Sequence, residues 1–269
     1  MTDSPPVRWH VADGVGHFVL NRPEAANAID VPTARAFAAA VDAAVDAAAS
    51  AGIGAVLLSS TGNQFCAGGD IQAFVRRRDD LDRLIAEIIE WIHPAILKLA
   101  SLPVPVIGAV HASVAGAGIG VALCADVVLA STAMKLRGGY SAIGLSPDAG
   151  TSYFLSRRAG AARAKYLLMT NRTIGADECL RLGLVDEVHP PEALPSAAAD
   201  LAASLARGAT GALGRVKRLC DDAARLDLGE HLDRERQALL DGARSEDGRE
   251  GIAAFVEKRA PRFSGGRLA

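Results

Sequence analysis

Twice in this chain an uninterrupted aliphatic run passes straight into small residues. AVLLSS (55–60) leads to FCAGGDI (65–71), and PVIGAV (105–110) leads to VAGAGIG (114–120). Charge-free runs of this length suit strands buried on both faces, which need helices on both sides of the sheet. The glycines and alanines that follow let one stretch of backbone come close to another, or to a ligand. Together the two segments confine the chain to an α/β layer architecture in which strand–turn–helix units recur.

The rest of the chain fits that frame. VRWHVADGVGHFVLNRP (7–23) reads as two strands around a turn at Asp13 and Gly14, ended by Pro23. Pro32 opens a helix through TARAFAAAVDAAVDAAAS (33–50), with Gly52 as its stop. A helix over 81–99 is closed by Pro103 and Pro105; a strand at 106–110, a small-residue helix at 116–125 and a strand at 126–130 follow. GLSPDAG (144–150) reads as a turn that opens a helix at Pro147. Beyond Gly183 the strand character fades into alanine-rich amphipathic helices whose apolar face must be covered by something. The expected division is a core over 1–199 and a helical region over 200–269, within a chain amply long for a packed interior.

Composition removes several classes of partner. A net charge of −2 and an aromatic content of 4% argue against nucleic acid. The basic clusters VRRR (75–78) and SRRAG (156–160) lack interleaved aromatics and read as solvated helix faces. No charge-free apolar run reaches about 20 residues, so no membrane span is expected. Cys66, Cys124, Cys179 and Cys220 are scattered without metal-ligand spacing, the pattern of free thiols in a reducing compartment and of no metal site. The opening MTDSPPVRWH has no export or organelle pattern, so a cytoplasmic protein is expected.

The chemistry sits in the two small-residue loops. Amides at the start of a helix have no intrahelical partner and point outwards. Two such loops converging on one point make an anion site, and an oxyanion hole if the anion is a thioester oxygen becoming an enolate. Helix packing explains either loop taken singly. VAGAGIG lacks the Gly-Lys-Ser/Thr of a phosphate-binding loop, and no acidic residue stands in clear register for a dinucleotide site.

In order along the chain, LNRPEAANAI (20–29), FCAGGDI, PVIGAVHASVAGAGIGVALCADVVLA (105–130), GLSPDAGTS (144–152), RLGLVDEV (181–188) and GREGIAAFVEKRAPRF (248–263) resemble the enoyl-CoA hydratase/isomerase (crotonase) superfamily. The resemblance implies a spiral of ββα units with a C-terminal helical region, assembled as a homotrimer or hexamer. It also implies an acyl-CoA thioester substrate, coenzyme A being part of that substrate rather than a separate cofactor. The thioester oxygen would take the amides of Gly69 and Ala117, with Gly118 beside them and Ala67, Asp70 and Ile71 completing the first loop. Arg22, Ala26 and Ala28 match a stretch that borders the CoA nucleotide. Lys258 matches a lysine that reaches CoA phosphate, often from a neighbouring subunit.

The reaction depends on carboxylates. In the hydratases two glutamates position and activate a water; the matching positions here are Gly120 and Tyr140, neither of which is a carboxylate. Tyr140 reads as a packed aromatic or as a lining of the acyl pocket. Asp148 is the carboxylate left in the matched region. Locally it reads as a helix cap after Pro147; by likeness to 1,2-epoxyphenylacetyl-CoA isomerases and related enoyl-CoA isomerases it is the acid/base. PDAGTSYFLSRRAG (147–160) and MTNRT (169–173) are also similar to 4-chlorobenzoyl-CoA dehalogenases, whose activating histidine and tryptophan would fall at Leu97 and Tyr140. His93, His111 and Asp126 read as structural. The expectation is double-bond or ring isomerisation by Asp148. The alternatives are a hydratase, a dehalogenase-like hydrolase, or an acyl-CoA binder without catalysis.

Overall fold

The computed structural model describes residues 4–264. Strands β1 (Val7–Ala12) and β2 (Val15–Leu20) form an antiparallel hairpin in the register Val7 to Leu20. Its two turn residues, Asp13 and Gly14, both have positive φ, as a tight two-residue hairpin loop requires. Helix α1 (Val31–Ala49) then returns the chain so that β3 (Ala55–Ser60) pairs in parallel with β2. With β5 (Val106–Val110), β7 (Val127–Ser131) and β10 (Glu187–His189) this gives a six-stranded sheet in the order β1-β2-β3-β5-β7-β10.

Alternate residues of the central strands face opposite layers, which is why they read as unbroken apolar runs. Val56 and Leu58 join Phe18, Phe37, Ile92 and Leu99 under α1 and α3 (Leu81–Ala100). Ala55 and Leu57 instead meet Leu194, Ala198, Ala202 and Ala206, a stripe at every fourth residue of α8 (Leu194–Ala206). The expected boundary at 199/200 therefore falls inside a helix that belongs to the sheet: the layered core runs to Ala206. Gly54 lets this helix approach, since a Cβ there would lie 2.5 Å from the Ala206 carbonyl oxygen.

A second, four-stranded sheet holds β4 (Gln64–Cys66), β6 (Ser113–Ala115), β8 (Lys135–Arg137) and β9 (Ile174–Gly175). Each of β3, β5 and β7 in the large sheet is followed by a short strand in the small one. The first two pairs lead into α2 (Ile71–Arg76) and α4 (Ala117–Leu123), a repeated ββα path. Helices α5 (Thr151–Ala159), α6 (Ala161–Thr170) and α7 (Ala176–Arg181) complete the layered part. The helix expected to open at Pro147 begins instead at Thr151, because Ala149 and Gly150 take positive φ values of 49° and 75° that no α-helix contains.

Helices α9 (Thr210–Asp222), α10 (Leu228–Arg244) and α11 (Glu246–Glu257) follow. Helix α10 has no buried residue, and Leu232, Leu239, Ile252 and Phe255 are exposed, the last at 86%. The four cysteines are free thiols, three of them buried. Among the described residues no helix is long and apolar enough to cross a membrane, and no His/Cys/Asp/Glu cluster could hold a metal.

Ala202 is fully buried between α8 and the sheet. Ala202→Leu overpacks that layer and lowers the unfolding free energy by about 1–3 kcal/mol in a denaturant titration; an unchanged midpoint would place α8 outside the core.

Candidate active site

Strands β4 and β6 are parallel neighbours, so the loops that leave them emerge side by side. They touch backbone to backbone. At Gly68 (φ 88°) a Cβ would lie 2.9 Å from the Ala115 oxygen and 3.1 Å from the Ala117 nitrogen; at Gly116 (φ 52°) it would lie 3.4 Å from the Gly68 Cα. Gly68 has no room for a side chain, and the backbone conformation of Gly116 disfavours one. The amides of Gly69 and Ala117, one step further on, have no acceptor among the described residues and line one cavity of about 640 Å³.

Of the other sequence-predicted residues, Ala67, Ile71, Tyr140 and Asp148 also line this cavity, whose apolar wall is completed by Phe74 and isoleucines of α3. Gly118 does not. It faces Cys66, whose carbonyl oxygen would sit 2.6 Å from a Cβ at 118, so this glycine serves the packing of α4 on β4. Arg22, Ala26, Ala28 and Asp70 stand behind the first loop rather than in the wall. Arg22 donates from Nη1 to the Asp70 carboxylate (2.8 Å) and the Ala28 carbonyl (3.0 Å), and Nη2 pairs with Asp30 at 3.2 Å. The Ala67 amide donates to the Ala26 carbonyl at 3.0 Å. Buried Asn27 clamps the same segment, taking the Arg22 amide and donating to the carbonyls of Thr61 and Gln64. Lys258 is exposed at the left-handed C-cap of α11, outside the cavity.

Asp70, only 4% exposed, caps α2 by accepting the Ala73 amide at 3.0 Å. Burial pushes its carboxyl up, but the Ala73 amide and the Arg22 guanidinium outweigh this and hold it below the usual carboxylate value. A depressed carboxylate contributes stability above its unfolded pKa and loses it as pH falls through the folded one. The gap in unfolding free energy between the wild type and Asp70→Asn is therefore constant above about pH 5 and shrinks below about pH 4. A gap that grows on acidification would contradict the brace.

Asp148 is not a helix cap. Its carbonyl accepts the Thr151 amide at 2.9 Å, closing a turn through Ala149 and Gly150, and its Oδ1 accepts the Tyr140 hydroxyl at 2.6 Å. Tyr140 is thus a polar partner as well as a packed ring. Burial first, then the neighbouring carboxylate, push its phenol far above the ordinary value, so it stays a donor at any working pH. Its oxygen also lies 3.3 Å from Thr151 Oγ1, which donates to the Gly116 carbonyl at 3.2 Å.

Two residues of this cluster were not assigned to it from sequence. His93 of α3 lines the cavity and accepts the Ala149 amide at Nε2 (3.1 Å). It continues the stripe of Ile85, Ile89 and Ile92, the signal that could have placed it there. Leu97, the position matched to the dehalogenase histidine, is 68% exposed and lies outside this cavity. The other is Thr151, whose hydroxyl partners are distant in sequence. His111, bonded to the Gly62 carbonyl, and Asp126, which accepts the Val106 amide and pairs with Lys217, hold loops and strands together.

Gly120 answers a separate question. A Cβ there would lie 1.9 Å from the Ala149 carbonyl oxygen, so the turn that presents Asp148 fills the space in which a side chain at 120 would begin. Gly120→Ala must push that turn aside and lowers the unfolding free energy by about 1–3 kcal/mol, read as a reduced melting temperature; an unshifted transition would show the turn to be pliable.

Residues 10–266 match the family model described as enoyl-CoA hydratase/isomerase. The chain is 35% identical to the 1,2-epoxyphenylacetyl-CoA isomerase of Escherichia coli, covering 95% of this chain and 97% of that protein. It is 30% identical to the trans-2-decenoyl-[acyl-carrier-protein] isomerase of Streptococcus mutans, over 98% and 99% of the two chains. Among solved structures, an enoyl-CoA hydratase from Polaromonas sp. JS666 superposes with a TM-score of 0.89 at 33% identity, over 96% and 99%. Hydratase and isomerase names both occur among these relatives, and the fold they share is the crotonase spiral.

Proposed function

Because this chain belongs to the enoyl-CoA hydratase/isomerase family, we propose that it isomerises an acyl-CoA thioester, with Asp148 as the single acid/base and the amides of Gly69 and Ala117 as the oxyanion hole. The observation that carries this reading is the pairing of Asp148 with Tyr140 beside a position 120 at which a second carboxylate has no room.

The thioester oxygen accepts both amides, and negative charge develops on it as Asp148 removes a proton from the acyl chain. The C–H bond breaks, its electron pair enters the enolate, and the Asp148 carboxyl, whose proton can exchange with solvent before transfer, protonates another carbon of the conjugated system. Nothing is added or lost. One oxyanion donor contributes about 2.7–4 kcal/mol to lowering such a barrier. Tyr140 holds Oδ1, which leaves Oδ2 to carry the proton. The isoleucine-rich wall suits an apolar acyl group. Coenzyme A arrives as part of the substrate, with no separate cofactor. The exposed apolar residues of α10 and α11 suit burial in a homotrimer or hexamer, and Lys258 is free to reach CoA phosphate bound by a neighbouring copy.

One observation favours a second reading. His93 shares the cavity with Asp148, as an aspartate nucleophile and its activating histidine would in a dehalogenase-like hydrolase. Two contacts weigh against it: Nε2 of His93 is engaged by the Ala149 amide, and Tyr140 occupies the tryptophan position.

Asp148→Asn abolishes double-bond migration, a loss of at least about 10²-fold for a general acid/base, while acyl-CoA binding measured by calorimetry persists. Tyr140→Phe lowers kcat about ten- to a hundredfold, the worth of a hydrogen bond to a charged group. Full turnover by Asp148→Asn would refute the assignment, and halide release from a halobenzoyl-CoA would move it to the second reading.

A further inference from the structure

We propose that Thr151 is a positioning residue for the oxyanion hole: its hydroxyl fixes the plane of the Gly116–Ala117 peptide and ties that peptide, through Tyr140, to Asp148. The proposal rests on the acyl-CoA reading above and extends it to a residue that touches no substrate.

Thr151 is fully buried, and a buried hydroxyl has to spend its hydrogen on a protein acceptor. The acceptor is the Gly116 carbonyl, at 3.2 Å. That carbonyl belongs to the same planar peptide as the Ala117 amide, and in a trans peptide the two point in opposite directions. Fixing the oxygen therefore aims the N–H. The need for an external hold is real at this position. Gly116 has φ 52° and ψ −132°, a conformation open to glycine alone, and glycine itself resists rotation of the adjoining peptide only weakly. Its own amide is anchored to the Gly138 carbonyl at 3.1 Å, while its carbonyl takes the Ile119 amide at 3.0 Å from within α4 and the Thr151 hydroxyl from α5. Thr151 is thus the link that ties the peptide to a different helix. A donor on a peptide oxygen also polarises the unit and strengthens its N–H as a donor, which counts most when the substrate oxygen becomes negative.

The second contact gives the link a direction. The Tyr140 hydrogen is committed to Asp148. The hydrogen between Tyr140 and Thr151 can then come only from Thr151, whose single proton lies between the Tyr140 oxygen at 3.3 Å and the Gly116 oxygen. The acid/base and one arm of the hole are held by one chain of hydroxyls.

The test compares Thr151→Val, nearly isosteric but without the hydroxyl, with Thr151→Ser, which keeps it. Two readouts are taken: kcat and KM on an unsaturated acyl-CoA, and the infrared carbonyl band of a bound saturated acyl-CoA carrying a carbon-13 thioester. For Thr151→Val, kcat falls about tenfold with KM within about twofold, a part of the 10²–10³ that removal of a whole oxyanion donor costs. The carbonyl band of the bound probe moves back towards its free position. Thr151→Ser retains both wild-type values, and Thr151→Ala repeats the valine result if valine does not fold. Wild-type kcat and band in the valine variant, or an equal loss in the serine variant, would overturn the proposal while leaving the oxyanion reading intact. A wild-type protein that binds the probe without shifting its band would overturn both.

Discussion

The contact between Gly68 and Gly116 is the constraint on which the site depends. Two main-chain segments approach so closely that a methyl group on Gly68 would run into the backbone of the other segment. The contact follows from topology. Parallel pairing of β4 and β6 sends both strands out of the small sheet at the same end, each loop then turns into a helix, and Gly69 before α2 and Ala117 at the start of α4 line the shared cavity. The supports behind this contact are polar and mostly hidden: Arg22 between Asp30 and Asp70, and Asn27 against the strand that carries the first loop. The proposed oxyanion hole needs both amides free, and neither has an acceptor among the described residues.

A second constraint shapes the surroundings of Asp148. The turn from Asp148 to Thr151 holds Ala149 in the left-handed region, which costs about 1–3 kcal/mol for a residue with a Cβ. The His93 nitrogen on its amide and complete burial of its methyl group hold it there. The turn brings its carboxylate to Tyr140 and its Ala149 carbonyl to the space above Gly120. Glycine at 120, tyrosine at 140 and aspartate at 148 are therefore one arrangement: the backbone that presents the single carboxylate occupies the room a second one would need.

Much of the scaffold was legible because it rests on local rules. The Asp13–Gly14 hairpin, the runs 55–60 and 106–110, and the first and third helices all announce themselves by period or by turn chemistry. The ββα spiral entered through resemblance, since strands of two or three residues such as β8 and β9 are too short to show a period. The helix start at Pro147 misled because proline usually opens a helix, whereas here the next two φ values break it. The 199/200 boundary misled because an alanine-rich helix looks the same whether it packs on a sheet or on other helices; α8 takes the sheet. In the site, Gly69, Ala117 and Asp148 were assigned from motif position, and all three line the one cavity. Gly118, Arg22 and Asp70 share those motifs but serve the backbone behind the wall. His93 and Thr151 depend on contacts across long sequence separations, 56 residues in the case of His93 and Ala149, which no local pattern encodes.

The most direct test of the single-carboxylate account is an incubation of an unsaturated acyl-CoA with the protein in heavy water, followed by mass spectrometry and proton NMR of the acyl chain. Proton transfer through Asp148 predicts migration of the double bond with deuterium entering only at the carbons that exchange a proton, and no addition of water. A product heavier by one water, formed without migration, would contradict it.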